Sequence, residues 1–425
     1  MSRDEVQITP RGPVDAHVRP PGSKSITNRA LVCAALAKGR STLDGVLNSE
    51  DTQVMVDAIR QLGMEVHWDR EADRVELVGC GGSIPVRDKD LFVANSGTTM
   101  RFLTAMLAVC PGRFRLHGVS RMHQRPIQDL LDALNALGAD TRSANNTGCP
   151  PVIIREPRRF GGTATVRGDM SSQFLSGLLM SVPYARQPVT LDVVGDLVSK
   201  PYVSMTLGVM RSFGVSVREH NLSRFRIDAP RVYDAQCYTV EPDATAASYF
   251  WAAAAITGGR MTVQGLGPSA LQGDVHFCDC LERMGCEVIR ETDRITVMGK
   301  PLRGISVDMN AISDTAQTLS AVALFASGPT TISGIAHNRH KETDRIADLA
   351  RELRKFGAHV EELPDGLRIE PRGLHGASVS TYRDHRMAMS LALVGLRVEG
   401  VAIQDPQCTG KTYPDFFQDL EALWG

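Results

Sequence analysis

Several short segments of this 425-residue sequence set cations and hydroxyls among small or apolar neighbours. They are Gly22-Ser23-Lys24-Ser25 followed by Arg29, Asn95-Ser96-Gly97-Thr98-Thr99-Met100-Arg101, and Gly168-Asp169-Met170-Ser171-Ser172-Gln173. Arg121–Pro126, His340–Arg345, Arg383–Met389 and Thr409–Thr412 add further charge. Hydroxyls, small residues and a nearby Lys or Arg at the start of a helix are what a phosphate needs, because the first backbone N–H groups are unpaired and carry the positive end of the dipole. The first segment is not a nucleotide P-loop: Ser23 separates Gly22 from Lys24, and His17 stands where another glycine would be required. A cation at a helix start opposes the dipole, so these placements break a local rule and become candidates for function. Lys341 and Arg345, read as an exposed pair one turn apart, would repel unless an anion lay between them. Asp314 admits two readings, a helix N-cap or a general base held ionised by surrounding cations. Only eight of the 47 basic residues are lysines. Some of these eight are therefore candidates for sites that want a compact, mobile point charge, the others being ordinary surface residues.

The elements that must present these residues repeat. Helical stretches ending in glycine and running into a strand recur at Gly63, Gly138, Gly214, Gly285 and Gly357, and the chain stops at Gly425. Each such glycine suits the left-handed position that closes a helix. A second series of Ala/Leu/Met-rich stretches begins near Ser23, Asn95, Asp169, Asp243, Asp314 and Asp384, all good N-caps. These stretches are apolar nearly all round, which predicts buried helices. Both series share one period of about 71 residues, so the chain reads as six α/β units. Prolines mark two crossings, Pro20-Pro21-Gly22 and Glu241-Pro242-Asp243. They predict two domains of three units, residues 1–21 with 242–425 and residues 22–241.

Composition narrows the class of function. Basic and acidic residues number 47 and 48, which argues against a general nucleic-acid binder. The longest apolar runs are much shorter than a membrane span, and the first residues lack the apolar core of a signal peptide. Nine scattered cysteines, an odd number, read as small buried hydrophobes in a reducing compartment, and Cys278, Cys280 and Cys286 have the wrong spacing for a zinc ribbon. The expectation is a cytoplasmic protein without a metal site.

Taken as an ordered set, the motifs at Pro21–Ser25, Asn95–Arg101, Gly168–Phe174, Lys341–Arg345 and Asp384–Met389 resemble the 3-phosphoshikimate 1-carboxyvinyltransferases (EPSP synthases), a family of enolpyruvyl transferases. The resemblance runs from about residue 8 to residue 424. It implies a two-domain inside-out α/β barrel, three βαβαββ units per domain, and transfer of the enolpyruvyl group of phosphoenolpyruvate to the 5-hydroxyl of shikimate 3-phosphate with release of phosphate. It further implies that Lys24, Ser25, Arg29, Ser171, Ser172, Gln173, Ser199, Tyr202, Asp314 and Lys341 bind shikimate 3-phosphate. Lys24, Asn95, Gly97, Arg125, Gln173, Arg345, Arg386 and Lys411 would bind phosphoenolpyruvate. Asp314 would accept the hydroxyl proton, Glu342 would exchange a proton with the methylene carbon, and Lys24 would assist. No metal or cofactor is implied, and the partners are the two small-molecule substrates, with no nucleic acid, no membrane and a monomer expected. The chain departs from many relatives at His337, where they carry Asn; His337 and the following Asn338 are both candidates to contact shikimate 3-phosphate. Phe102 stands where some relatives carry Pro, so the resemblance does not extend to their response to the inhibitor glyphosate. The sister UDP-N-acetylglucosamine 1-carboxyvinyltransferases typically carry a Cys in the loop matching Ser120–Pro126, which here has none. A non-catalytic phosphate-ligand receptor of the same fold would not need Asp314, Glu342 and Lys411, all of which are present.

Overall fold

A computed structural model of the chain describes residues 5–157 and 159–425. It divides into a continuous unit, Gly22–Val240, and a discontinuous unit, Met1–Pro21 with Glu241–Gly425. Glu241 falls with the discontinuous unit, one residue earlier than the proline pattern places the crossing. The cause is its side chain, whose oxygens accept from the Leu271 N–H at 3.0 and 3.1 Å and from Gln272 Nε2 at 3.2 Å.

Five of the six sheets among the described residues share one wiring. In the continuous unit, Lys38–Asp44 pairs parallel with Cys237–Thr239 and antiparallel with Arg74–Cys80, which pairs antiparallel with Val66–Asp69. The sheets built around Arg113–His117 and Val189–Val194 repeat that order and those directions. In the discontinuous unit, the sheets around Arg260–Gln264 and Thr330–Ser333 do the same. The last sheet has three strands, Ser378–Val379, Val401–Gln404 and Glu5–Ile8. The N-terminal segment belongs to the distant half of the chain because two of its strands are used there: Asp15–Val18 runs parallel to Arg260–Gln264, and Glu5–Ile8 runs antiparallel to Val401–Gln404.

Each unit carries three buried helices. In the continuous unit they are α1 (Lys24–Leu36), α2 (Gly97–Ala108) and α3 (Ser172–Ser181); in the discontinuous unit they are α4 (Ala244–Thr257), α5 (Ala316–Ala323) and α6 (His385–Ala392). Their all-round apolar character is explained by burial: every residue of α2 and of α4 is buried. Within each unit these helices pack against one another. Ser23, Ser96, Ser171, Asp243 and Asp384 cap five of them, each side chain accepting a backbone N–H of the first turn. The second and third helices thus start one and two residues later than Asn95 and Asp169. Asp314 is not a cap. It lies in a 3₁₀ turn, Asn310–Thr315, and α5 starts after Thr315 without any side-chain cap. Nor does Lys341 open a helix: residues 336–340 form a 3₁₀ turn, and the helix proper is Ala347–Lys355. Its start is served by Asp344 Oδ1, which accepts from the Ile346 and Ala347 N–H groups at 3.1 and 3.0 Å.

The five periodic glycines all adopt positive φ, from 82° at Gly214 to 117° at Gly285, as helix closure requires. Tyr382 and Arg383 are different: both have φ 56°, a strained value for residues with a Cβ. The strain is held by an anchor, since the Tyr382 hydroxyl donates to the buried Glu352 carboxylate at 2.6 Å and accepts from Arg351 Nη1 at 3.1 Å. The Arg383 side chain is exposed. Arg383→Gly is therefore expected to raise stability by about 0.5–1 kcal/mol, the left-handed penalty less the glycine's greater unfolded freedom. Thermal unfolding should show a rise of roughly 1–3 °C at unchanged turnover; a fall in melting temperature would place the strain elsewhere.

Candidate functional site

In the continuous unit, the starts of the three buried helices are lined by serine caps with no acidic residue in the first turn. The Lys24 ammonium lies 3.5 Å from Asp51 Oδ2, a buried carboxylate that sequence reasoning did not single out. At the start of α2, Arg125 Nη1 donates to the Asn95 carbonyl at 3.1 Å and lies 3.5 Å from its Oδ1. Arg101 Nη1 donates to the Gly97 carbonyl at 3.2 Å, and its Nη2 donates to the Pro126 carbonyl at 3.1 Å. Both guanidiniums lie over Gly97: a Cβ there would meet Arg125 Nη2 at 2.5 Å and Arg101 Nη1 at 2.7 Å. Gly97 thus keeps two cations against one helix start. Arg101 was visible only as the end of its motif, four residues after Gly97 and hence on the same face.

At the start of α3, Ser171 Oγ accepts from the Gln173 N–H at 3.2 Å, and Gln173 Nε2 reaches Thr98 Oγ1 at 3.5 Å, so the starts of α2 and α3 adjoin. Ser172 is buried beside them. Ser199, just ahead of the helix Lys200–Ser212, is held at φ 53°, ψ 45° and is almost fully buried. A left-handed serine of this kind is a flag for function. Its carbonyl accepts from the Tyr202 N–H at 3.0 Å.

Arg29 is placed otherwise than its motif suggests. It is 2% exposed, with Nε donating to Thr206 Oγ1 at 2.7 Å, Nη1 to the Ser25 carbonyl at 2.8 Å, and Nη2 to Ser176 Oγ and the Tyr202 carbonyl, both at 3.3 Å. Its guanidinium stacks 5.1 Å from the Phe102 ring centroid and 5.9 Å from that of Tyr202. Burial pulls its pKa down to about 10. In this structure Arg29 holds Ser25 and Tyr202 in place. Thr206 and Ser176, which bond to it, gave no signal in sequence.

The discontinuous unit gathers the remaining cations around carboxylates. Asp314 Oδ1 accepts from Lys341 Nζ at 3.2 Å and Arg345 Nη1 at 3.3 Å, and Oδ2 accepts from Arg386 Nη2 at 2.8 Å. The anion that Lys341 and Arg345 require between them is this side chain. Arg345 is itself buried and binds two further carboxylates. Its Nε and Nη2 grip Asp384 at 2.7 and 3.1 Å, and Nη2 also donates to Glu342 Oε2 at 2.9 Å. Burial alone would pull the Arg345 guanidinium down, but Asp384, Glu342 and Asp314 together push it above its ordinary value. Asp384 also caps α6 through the Arg386 N–H at 2.9 Å, so one buried side chain sets both Arg345 and Arg386. Burial pushes the phenol of Tyr249, on α4, up to about 12, with the charge of Arg386 pulling the other way. His337 and Asn338 meet Ser313: His337 Nε2 is 2.9 Å from Ser313 Oγ, and Asn338 Nδ2 donates to the Ser313 carbonyl at 2.9 Å. Lys411 is buried in the turn Pro406–Lys411, which packs on α6.

The structure therefore joins Asp314, Lys341, Glu342, Arg345 and Arg386 into one cluster, and Asn95, Gly97 and Arg125 into another. Ser25, Arg29 and Tyr202 form a third group. No helix among the described residues is long and apolar enough to cross a membrane.

A family model described as EPSP synthase (3-phosphoshikimate 1-carboxyvinyltransferase) matches residues 8–420. The chain is 48% identical over 406 residues to the 3-phosphoshikimate 1-carboxyvinyltransferase of Nostoc punctiforme, covering 95% of each. It is 44% identical over 424 residues to that of Shewanella sp. strain W3-18-1, covering 99% of this chain and 100% of the relative. Its fold is similar to a solved EPSP synthase from Acinetobacter baumannii, with a TM-score of 0.83 at 24% identity over 98% of this chain and 97% of that one. The repeated α/β wiring, the order of the motifs and likeness over nearly the whole length agree, and the chain belongs to the EPSP synthase family, the 3-phosphoshikimate 1-carboxyvinyltransferases.

Proposed function

We propose that this chain transfers the enolpyruvyl group of phosphoenolpyruvate to the 5-hydroxyl of shikimate 3-phosphate, releasing phosphate. The observation that carries the reading is the carboxylate of Asp314 with three cationic donors on it, in a chain whose other unit offers acid-free helix starts. Protonation of the donor's methylene carbon makes its neighbour electrophilic. The hydroxyl adds there as its proton leaves, giving a tetrahedral intermediate. Loss of a proton from the new methyl group then expels phosphate. These three proton transfers need carboxylates beside fixed cations: Asp314 takes the hydroxyl proton, and Glu342 gives a proton to the methylene carbon and takes one back from the methyl group.

In this reading Ser171, Ser172 and Ser199 receive the phosphate of shikimate 3-phosphate at the start of α3, with Ser25, Tyr202, Gln173, Lys24 and Lys341 around the ring. Arg29 acts by orienting Ser25 and Tyr202. Asn95, Gly97 and Arg125 receive phosphoenolpyruvate at the start of α2, with Arg345, Arg386, Lys411 and Lys24 completing its charge. Each unit supplies only part of this set. The chain would work as a monomer in the cytoplasm. Phosphate release measured with phosphoenolpyruvate plus either shikimate 3-phosphate or UDP-N-acetylglucosamine tests the assignment; release with the second acceptor alone would overturn it.

Two outcomes are expected from this reading. Asp314→Asn should cut turnover by about 10²–10⁴-fold, the usual worth of a general base. Because Asp314 offsets three cations and caps nothing, the change should also lower stability by roughly 1–3 kcal/mol, visible in thermal unfolding. A rate close to that of the parent protein would return Asp314 to a structural role. Gly97→Ala should raise the KM for phosphoenolpyruvate roughly tenfold, about 1.4 kcal/mol, by displacing Arg125 and Arg101. The KM for shikimate 3-phosphate should stay near its starting value, and equal changes in both would mean a general distortion.

A further inference from the structure

His337 and Asn338 sit side by side in the 3₁₀ turn Ala336–His340, and the side chains of both meet the residue that precedes Asp314. One holds the Ser313 hydroxyl and the other its carbonyl, each at 2.9 Å, and both are buried, at 6% and 0% exposure. The turn they grip needs outside support. Ile312 leaves helical geometry at φ −126°, ψ 39°, and the following helix has no side-chain cap. Regular helix hydrogen bonding therefore does not by itself dictate where the Asp314 carboxylate points.

We propose that His337 is a positioning residue that acts through Ser313 to aim Asp314, rather than a substrate contact or a proton carrier. The inference rests on the reading of Asp314 as acceptor of the hydroxyl proton. The surroundings suit a hydrogen-bonding imidazole. Burial, with Lys341 and then Arg345 and His340 adding to it against the opposing pull of Asp314, lowers its pKa to about 3. The ring is then neutral, with one donor and one acceptor to give. An Asn side chain also offers both kinds of group, so His337→Asn can restore what His337→Ala removes.

The test uses the full-length chain with His337→Ala, His337→Asn, Ser313→Ala, the Ala/Ala double variant and Asp314→Asn, following phosphate release and thermal unfolding. His337→Ala should lose about tenfold in kcat, as expected of a misaimed base, while the KM for phosphoenolpyruvate changes less than about twofold. His337→Asn should recover most of the rate. Ser313→Ala should match His337→Ala, and the double variant should be no worse than either, since both remove one contact. Should His337→Ala fail to fold, His337→Asn and Ser313→Ala carry the same comparison. Additive losses, a parental kcat in His337→Ala, or a raised KM for shikimate 3-phosphate at unchanged kcat would each overturn the proposal. So would loss of a limb of the kcat–pH profile in His337→Asn between about pH 6 and 9, which would make His337 a proton carrier. An active Asp314→Asn would defeat the underlying reading, whereas an inactive one beside a parental His337→Ala would defeat the clamp alone.

Discussion

The discontinuous unit is organised by one buried guanidinium. Arg345 binds Asp384, Glu342 and Asp314 at once, and each of those carboxylates commits another part of the chain. Asp384 caps α6 and thereby sets Arg386; Asp314 gathers Lys341 and Arg386; Glu342 lies on the same turn as Lys341. Buried ion pairs contribute to stability only when geometry and further hydrogen bonds offset desolvation, and here every partner of Arg345 is itself bonded into the fold or the site. Removing Arg345 would leave three carboxylates close together with too little positive charge, so the arrangement stands or falls as a whole.

The two units solve the problem of a buried helix start in opposite ways. In the continuous unit Ser23, Ser96 and Ser171 satisfy first-turn N–H groups without adding charge, so the positive end of each dipole stays available to an external anion. In the discontinuous unit Asp243 and Asp384 cap α4 and α6 with a negative charge, and cations are brought in around the carboxylates. One unit is thus equipped to bind phosphate by backbone and hydroxyl, the other to manage protons between carboxylates and fixed cations. Gly97 shows how close the first arrangement is, since a methyl group there would have to push Arg125 and Arg101 aside.

Much of this is legible in the sequence because it is local or periodic. Five glycines at one period announced helix closures that all adopt positive φ, and apolar stretches announced the six buried helices. The repulsion expected between Lys341 and Arg345 pointed to an anion between them. What stayed hidden depends on partners far along the chain. Asp51 lies on a separate helix from Lys24, and Ser176 and Thr206 meet Arg29 across about 150 to 180 residues. The same distance explains why, of the two readings of Asp314, the cap fails. Its spacing fits the series of helix starts, yet the chain kinks at Ile312 and carries the carboxylate to cations from two other segments.

The sequence by itself determined the repeat, the membership of the N-terminal strands in the far half of the chain, and the inventory of hydroxyls, cations and carboxylates, because these follow from residue type and interval. Only the tertiary structure decided how each was used. Arg29 and Arg345 are both motif arginines, but one is stacked between Phe102 and Tyr202 with neutral acceptors and the other is locked by three carboxylates. Charge and hydrogen-bond demand are properties of a side chain, whereas the groups that meet them are brought up by strands and helices remote in sequence. Interval alone carries no record of which of those groups arrives first.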